Sequence, residues 1–208
     1  SMPNKQGQRL HLQIDGEAVC EIDLNASQPS LFSALVGIKM NVGDTWTDAY
    51  QAVVDKLTID EDPKALRSKV KQVIVEMTGS GNSQRKAPAK NNEDNLFNET
   101  EGSLLQYDTI RLAALEVMPA LHKLNRSYLN ATGFLSFHEA KILTETLLRL
   151  KGMGIVAYGV HDCVIVKCSC KDEAIDTYRD IIRNYVLKVQ KKSGVPKVVT
   201  DVALSVEE

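Results

Sequence analysis

Two turn signals, Asp15-Gly16 near the start and His161-Asp162 toward the end, do most to limit the folds open to this 208-residue chain. Each lies between short apolar runs. Leu10, Leu12 and Ile14 lead into the first turn, and Val19, Cys20, Ile22 and Leu24 follow it; residues 155–160 and 163–166 flank the second. A strand that reverses within two residues pairs antiparallel with its neighbour. Between the hairpins the apolar spacing is helical rather than alternating. Strands grouped in hairpins with helices between them predict an α+β fold, a mostly antiparallel sheet of hairpins packed with helices.

The helical pattern divides at recognisable stops. Pro29 suits the start of a helix carrying Leu31, Phe32, Ala34 and Leu35, because its missing N–H would be unpaired there in any case. A second helix is expected over 45–57, with Trp46, Ala49, Tyr50, Val53, Val54 and Leu57 inward. Asp62-Pro63 reads as cap and first residue of a third, whose apolar face is Leu66, Val70, Val73, Ile74 and Met77, and Gly79-Ser80-Gly81 ends it. The polar stretch 82–103 reads as a mobile surface loop or insertion. A helix over 105–124 should bend near Pro119. Ser136 and Glu139 look like a capping box opening a helix over 137–151, with Gly152 or Gly154 as its stop. A last helix over 172–191 and a strand around 198–206 close the reading, which treats 3–208 as one domain and Ser1-Met2 as a cleavage scar.

Composition narrows the function classes. With 43% hydrophobic and 25% charged residues the chain is neither disordered nor fibrous, and it has no uncharged apolar run of about 18 residues, so a soluble, cytoplasmic protein without membrane contact is expected. Cys20, Cys163, Cys168 and Cys170 are too few for a disulfide scaffold, and Cys168-Ser169-Cys170 lacks zinc-site spacing. Cys163 reads as strand packing. A net charge of -2 does not announce nucleic-acid binding. The basic residues concentrate locally instead: Lys64, Arg67, Lys69, Lys71, Arg85, Lys86 and Lys90 share a window with one acid, Glu76.

Asp23 and Asp162 each stand at the end or turn of a strand in apolar surroundings. If the hairpins adjoin, the two carboxylates could converge on a pair of divalent cations about 3.5–4 Å apart, the arrangement that clamps the entering and leaving oxygens in phosphoryl transfer. Two aspartates, a backbone carbonyl and a triphosphate are sufficient oxygen donors for magnesium. The plainer alternative is that each aspartate only makes its turn. His11, His122 and His138 share no metal-ligand spacing and read as surface or local structural residues. Thr78-Gly79-Ser80-Gly81 follows a helix and lacks Gly-Lys-Ser/Thr, so it is not a P-loop.

These segments resemble the motifs of template-dependent polymerases. Glu21-Ile22-Asp23-Leu24-Asn25-Ala26-Ser27-Gln28-Pro29-Ser30 resembles motif A, with the Pro-Ser seen in family B DNA polymerases. Arg67-Ser68-Lys69-Val70-Lys71, followed by Met77-Thr78-Gly79-Ser80-Gly81, resembles motif B of family A DNA polymerases and single-subunit phage-type RNA polymerases. Gly159-Val160-His161-Asp162-Cys163-Val164-Ile165-Val166 resembles their motif C. The resemblance implies a palm-like domain with 45–105 as a reduced fingers-like helical insertion, taken from a phage- or plasmid-type replication protein. It implies that Asp23 and Asp162 bind two Mg²⁺ or Mn²⁺ ions with the carbonyl of Leu24. Arg67 and Lys71 would hold the incoming triphosphate, Lys71 also donating a proton to pyrophosphate, while Gln28, Thr78, Gly79 and His161 would line the nucleotide and primer end. Primer–template nucleic acid, nucleoside triphosphates and other replication proteins are the implied partners.

The chain departs from that pattern in places. Thr78 or Gly79 stands where motif B carries an aromatic residue, and Gln28 where a Glu or Tyr often screens the 2′-hydroxyl, leaving sugar choice open. Only about 20 residues precede motif A where family A enzymes carry a thumb, so a weak grip on duplex is expected. Two other readings stay open: a polymerase-derived module that binds nucleic acid or a replication partner without catalysis, and an unrelated metal-dependent phosphohydrolase using the same acids.

Overall fold

A computed structural model describes residues 11–42, 48–88, 95–98, 100–124, 131–195 and 204–207. The chain divides into two compact units, one formed by Ser1–Ser27 with Ser136–Glu208 and the other by Gln28–Leu135. The expected insertion over 45–105 falls inside the second unit.

The first unit is built on the antiparallel sheet. Its strands are β1 (Gln13–Ile14), β2 (Glu17–Leu24), β3 (Ala157–Val160), β4 (Cys163–Lys167) and β5 (Leu204–Glu207). Their order is β1-β2-β4-β3, with β5 pairing β2 beyond β1. Asp15 and Gly16 both take the left-handed backbone, φ 52° and 78°, that a two-residue hairpin turn requires. β2 is the central strand, and its alternation sorts two faces. Cys20 faces Val166 and Ile22 faces Val164 across the β2–β4 ladder, and all four are fully buried. That side carries α6 (Lys171–Ser193), whose Ala174, Tyr178, Ile182 and Val186 recur at helical spacing and are buried. Burying each such valine or isoleucine stabilises the fold by about 1.5–3 kcal/mol before entropy is counted. The part of α5 (Ala131–Gly152) in this unit packs against β3. A Cβ at Gly159 would lie 2.8 Å from Leu143 Cδ2 and 3.0 Å from Leu147 Cδ1, so any larger residue there must displace these half-buried leucine side chains. The opposite face carries a smaller apolar cluster of Ile14, Val19, Cys163 and Ile165, together with Glu21 and Asp23.

The second unit is helical. It holds α1 (Ser27–Val36, from Gln28 on), α2 (Ala49–Val54), α3 (Pro63–Ser80) and α4 (Glu101–Val117), followed by a 3-10 turn at Pro119–Lys123. Asp62 caps α3 by accepting from the Ala65 N–H at 2.9 Å, with Pro63 in the first turn; Gly81, φ 58°, ends it by donating to the Met77 and Thr78 carbonyls. The expected bend near Pro119 is a break at Met118.

Two expectations need correction, and the polar stretch 82–103 makes contacts the sequence does not suggest. α5 begins at Ala131, not at Ser136–Glu139: Ala131, Leu135, His138 and Ile142 are all buried, so the inward stripe continues through the supposed capping box and tertiary burial overrides the local signal. α2 is shorter than expected and is capped by Asp48, whose carboxylate accepts from the Tyr50 N–H; Trp46 lies outside the described residues. In the polar stretch 82–103, Phe97 is buried and meets Tyr107 edge-on at 5.1 Å, while Gln72 of α3 bonds Asn95 and the Leu96 N–H. Those residues pack onto the second unit. Of the last expected strand, residues 198–203 lie outside the described residues.

Candidate functional site

β2 delivers Asp23 to the end of the sheet that also carries the β3–β4 turn. Asp23 pairs with Ser205 of β5, and continuing the β2–β4 register from Ile22–Val164 sets it opposite Cys163, the residue after Asp162. Asp23 is therefore on β2, and Asp162 is in the turn that leads into its neighbour β4, at the same end of the sheet. Asp23 is exposed and Asp162 half-buried, and Asp23 Oδ1 accepts from the Leu24 N–H at 3.0 Å. His161 is exposed in the left-handed conformation, φ 56°, as the turn demands.

Tyr178 links this turn to α6. Its ring is buried and its hydroxyl donates to the backbone carbonyl of Asp162 at 2.6 Å. Burial pushes the phenol far above the usual tyrosine range, and the negative charges of Asp162 and then Asp23 push it in the same direction. Both carboxylates thus act electrostatically on one hydroxyl. The sequence pattern alone treats Tyr178 as one more apolar position of a helix.

Glu21 is a second residue that the motif comparison passes over. It points to the same side of β2 as Asp23, is buried, and accepts from the Cys163 thiol at 3.7 Å. An acid in the middle of an apolar strand is the signal that marks it. Cys163 is buried in β4, as expected of a packing residue, and all four cysteines are free thiols.

Carboxylates and a carbonyl are hard oxygen donors, so Asp23, Asp162 and Leu24 fit Mg²⁺ or Mn²⁺ better than a soft metal. No group of three or more His, Cys, Asp or Glu suited to a metal occurs among the described residues.

The second unit carries the other expected site residues. Arg67 and Lys71 sit one turn apart on α3, as their spacing requires. The half-buried Arg67 guanidinium is ion-paired with Asp48 and lies over the Tyr50 ring, 5.5 Å from its centroid. Lys71 is exposed and makes no ion pair among the described residues. Thr78 is buried, its hydroxyl donating to the Ile74 carbonyl at 2.8 Å, whereas Gly79 next to it is exposed. Gln28 is half-buried in the first turn of α1.

The basic window is less basic in space than along the chain. Lys69 pairs with Glu61 at 2.8 Å and Arg85 with Glu76 at 3.2 Å. Lys64, Lys71 and Lys86 stay exposed, and Lys90 lies outside the described residues. Partners outside the window, Asp48 and Glu61, supply the negative charge that it lacked.

His11 and His122 are exposed, and His138 is buried with Nδ1 2.7 Å from the Tyr185 hydroxyl. No helix among the described residues is long and apolar enough to cross a membrane. Comparison of the chain with protein-family models and with curated proteins finds no match in either.

Proposed function

We propose that this chain is a palm-like nucleotidyltransferase of the template-dependent polymerase type, adding nucleotides to a primer 3′-end with two divalent cations. The observation that supports the reading is that β2, ending in Asp23–Leu24, and the β3–β4 turn that holds Asp162 lie at the same end of an antiparallel sheet in which β2 and β4 are adjacent. Asp23, Asp162 and the Leu24 carbonyl are the groups that would hold Mg²⁺ or Mn²⁺. When bound, the cations neutralise charge on the phosphates and lower the cost of attack by the primer hydroxyl.

The chain's own part is positioning. The β2–β4 ladder brings the end of β2 beside the turn that carries Asp162, and the Tyr178 bond supports that turn. Lys71, exposed on α3, is available to a triphosphate and to protonate the departing pyrophosphate. Arg67 can bind phosphate only by exchanging Asp48 for it. His161 at the turn would meet the primer end, Gln28 and Gly79 the nucleotide. The substrates are nucleoside triphosphates and a primer–template duplex, and other replication proteins are further partners. One observation favours a second reading, a binding module without catalysis: the cation assigned to the triphosphate is already neutralised by an internal acid.

Primer extension decides between them. The purified chain is given DNA and RNA templates, Mg²⁺ or Mn²⁺, and separate deoxy- and ribonucleotide pools, beside Asp162→Ala. Extension by the native chain that disappears in the variant is the expected result, and the pool that supports it identifies the sugar. No extension under any of these conditions, with nucleic-acid binding retained, overturns catalysis in favour of the binding module. Cleavage of primer or template without nucleotides points instead to a phosphohydrolase.

A further inference from the structure

Resting on the two-carboxylate reading above, we infer that Tyr178 is the positioning residue of the site, aligning Asp162 for metal binding by holding the peptide that follows it. The Asp162 carboxylate hangs from a two-residue turn whose other member, His161, has φ 56°. A histidine adopts that conformation less readily than glycine, so the turn gains from support beyond its own residues. Strand pairing ends at Val160–Cys163, so the ladder fixes the turn's ends but not its peptide planes.

Tyr178 supplies what the ladder lacks. Its 2.6 Å bond to the Asp162 carbonyl fixes the Asp162–Cys163 peptide plane, and with it the direction in which the Asp162 side chain leaves the backbone. The donor is itself immobile: the ring is 1% exposed on a helix of 23 residues packed on β2 and β4. On the other side of that peptide, the Cys163 thiol reaches the buried Glu21 of β2. The peptide between Asp162 and Cys163 is thus tied from the helix by its carbonyl, and from the neighbouring strand by the side chain that follows. A solvent-exposed turn that merely reversed the chain would need no buried phenol beneath it. Tyr178 touches neither substrate nor metal in this scheme; it acts through Asp162.

The test compares Tyr178→Phe with Tyr185→Phe, a change on the same helix that removes the hydroxyl bonded to His138 instead. Mn²⁺ affinity is read by electron paramagnetic resonance, and kcat and the nucleotide KM by primer extension. Tyr178→Phe, which keeps the ring, is expected to fold, to bind Mn²⁺ about 10-fold more weakly, and to lose about 10- to 100-fold in kcat with KM little changed, as a misplaced reacting group does. Tyr185→Phe should leave all three at native values. Replacing Tyr178 by 3-fluorotyrosine, which retains a hydroxyl, should restore both readouts. Native Mn²⁺ affinity and kcat in Tyr178→Phe would overturn the inference while leaving the two-carboxylate reading intact. Failure of Tyr178→Phe to fold would also overturn it, since the hydroxyl would then serve the fold rather than the site. A native chain that neither binds Mn²⁺ nor extends a primer removes that reading and this inference together.

Discussion

Arg67 on α3 is ion-paired with Asp48, the residue that caps α2, so one carboxylate both starts a helix and neutralises the cation assigned to a triphosphate. The competition has a measurable consequence. Asp48→Asn keeps an N-cap acceptor but removes the charge, so Arg67 is released at little cost, less than about 1 kcal/mol for a partly exposed pair. Steady-state extension kinetics should show the nucleotide KM falling severalfold in this variant, and in Arg67→Ala rising by more than that. An unchanged KM in both would remove Arg67 from the nucleotide site.

Close packing of α5 on β3 predicts a measurable effect from the smallest possible side chain. In Gly159→Ala the added methyl meets the side-chain ends of the half-buried Leu143 and Leu147 at 2.8–3.0 Å, and because these can give way the expected loss is about 1 kcal/mol. Urea denaturation checks it. Adding Leu143→Ala makes room for the methyl, so the double variant should be more stable than the sum of the two single losses implies.

In the helical unit, Arg111 is buried, bonds Asp108 at 2.7 Å and donates to the Ser83 carbonyl at 3.2 Å. Arg111→Met preserves most of the bulk but leaves that carbonyl and carboxylate without their donor. A loss of about 2–3 kcal/mol is expected in chemical denaturation, and amide exchange should speed up around Ser83, whose N–H donates to Leu124.

Stability should fall on mild acidification because of His138. Burial holds its imidazole below the ordinary histidine value of about 6.5, so the unfolded chain binds a proton that the folded chain resists. The folded state is therefore favoured above pH of about 6.5 and loses that advantage as the pH falls toward the lowered value. Thermal melts across this range should show a decline in the native protein that is flatter in His138→Gln. An equal decline in both would assign the acid sensitivity to other groups.

Much of this molecule can be read locally. Asp15-Gly16 and His161-Asp162 turn where expected because a two-residue reversal depends on the φ of its own residues, and Asp62-Pro63 opens α3 because a cap acts within one turn. Asp23, Asp162, Arg67 and Lys71 could be singled out because residue type and position within a strand or helix are properties of short segments. What lay beyond reach depended on partners outside the local segment. The Ser136–Glu139 box lost to a buried stripe starting at Ala131, Asp48 and Glu61 discharged a window that looked basic, and Phe97 in a polar stretch found Tyr107. The same holds at the candidate site: sequence put Asp23 late in a strand and Asp162 in a turn, but only the register of β2 with β4 brought both to one end of the sheet, and only the packing of α6 put the Tyr178 hydroxyl on the Asp162 carbonyl. Backbone conformation is set by nearest neighbours along the chain, whereas burial and charge pairing are set by neighbours in space, which chain order does not specify.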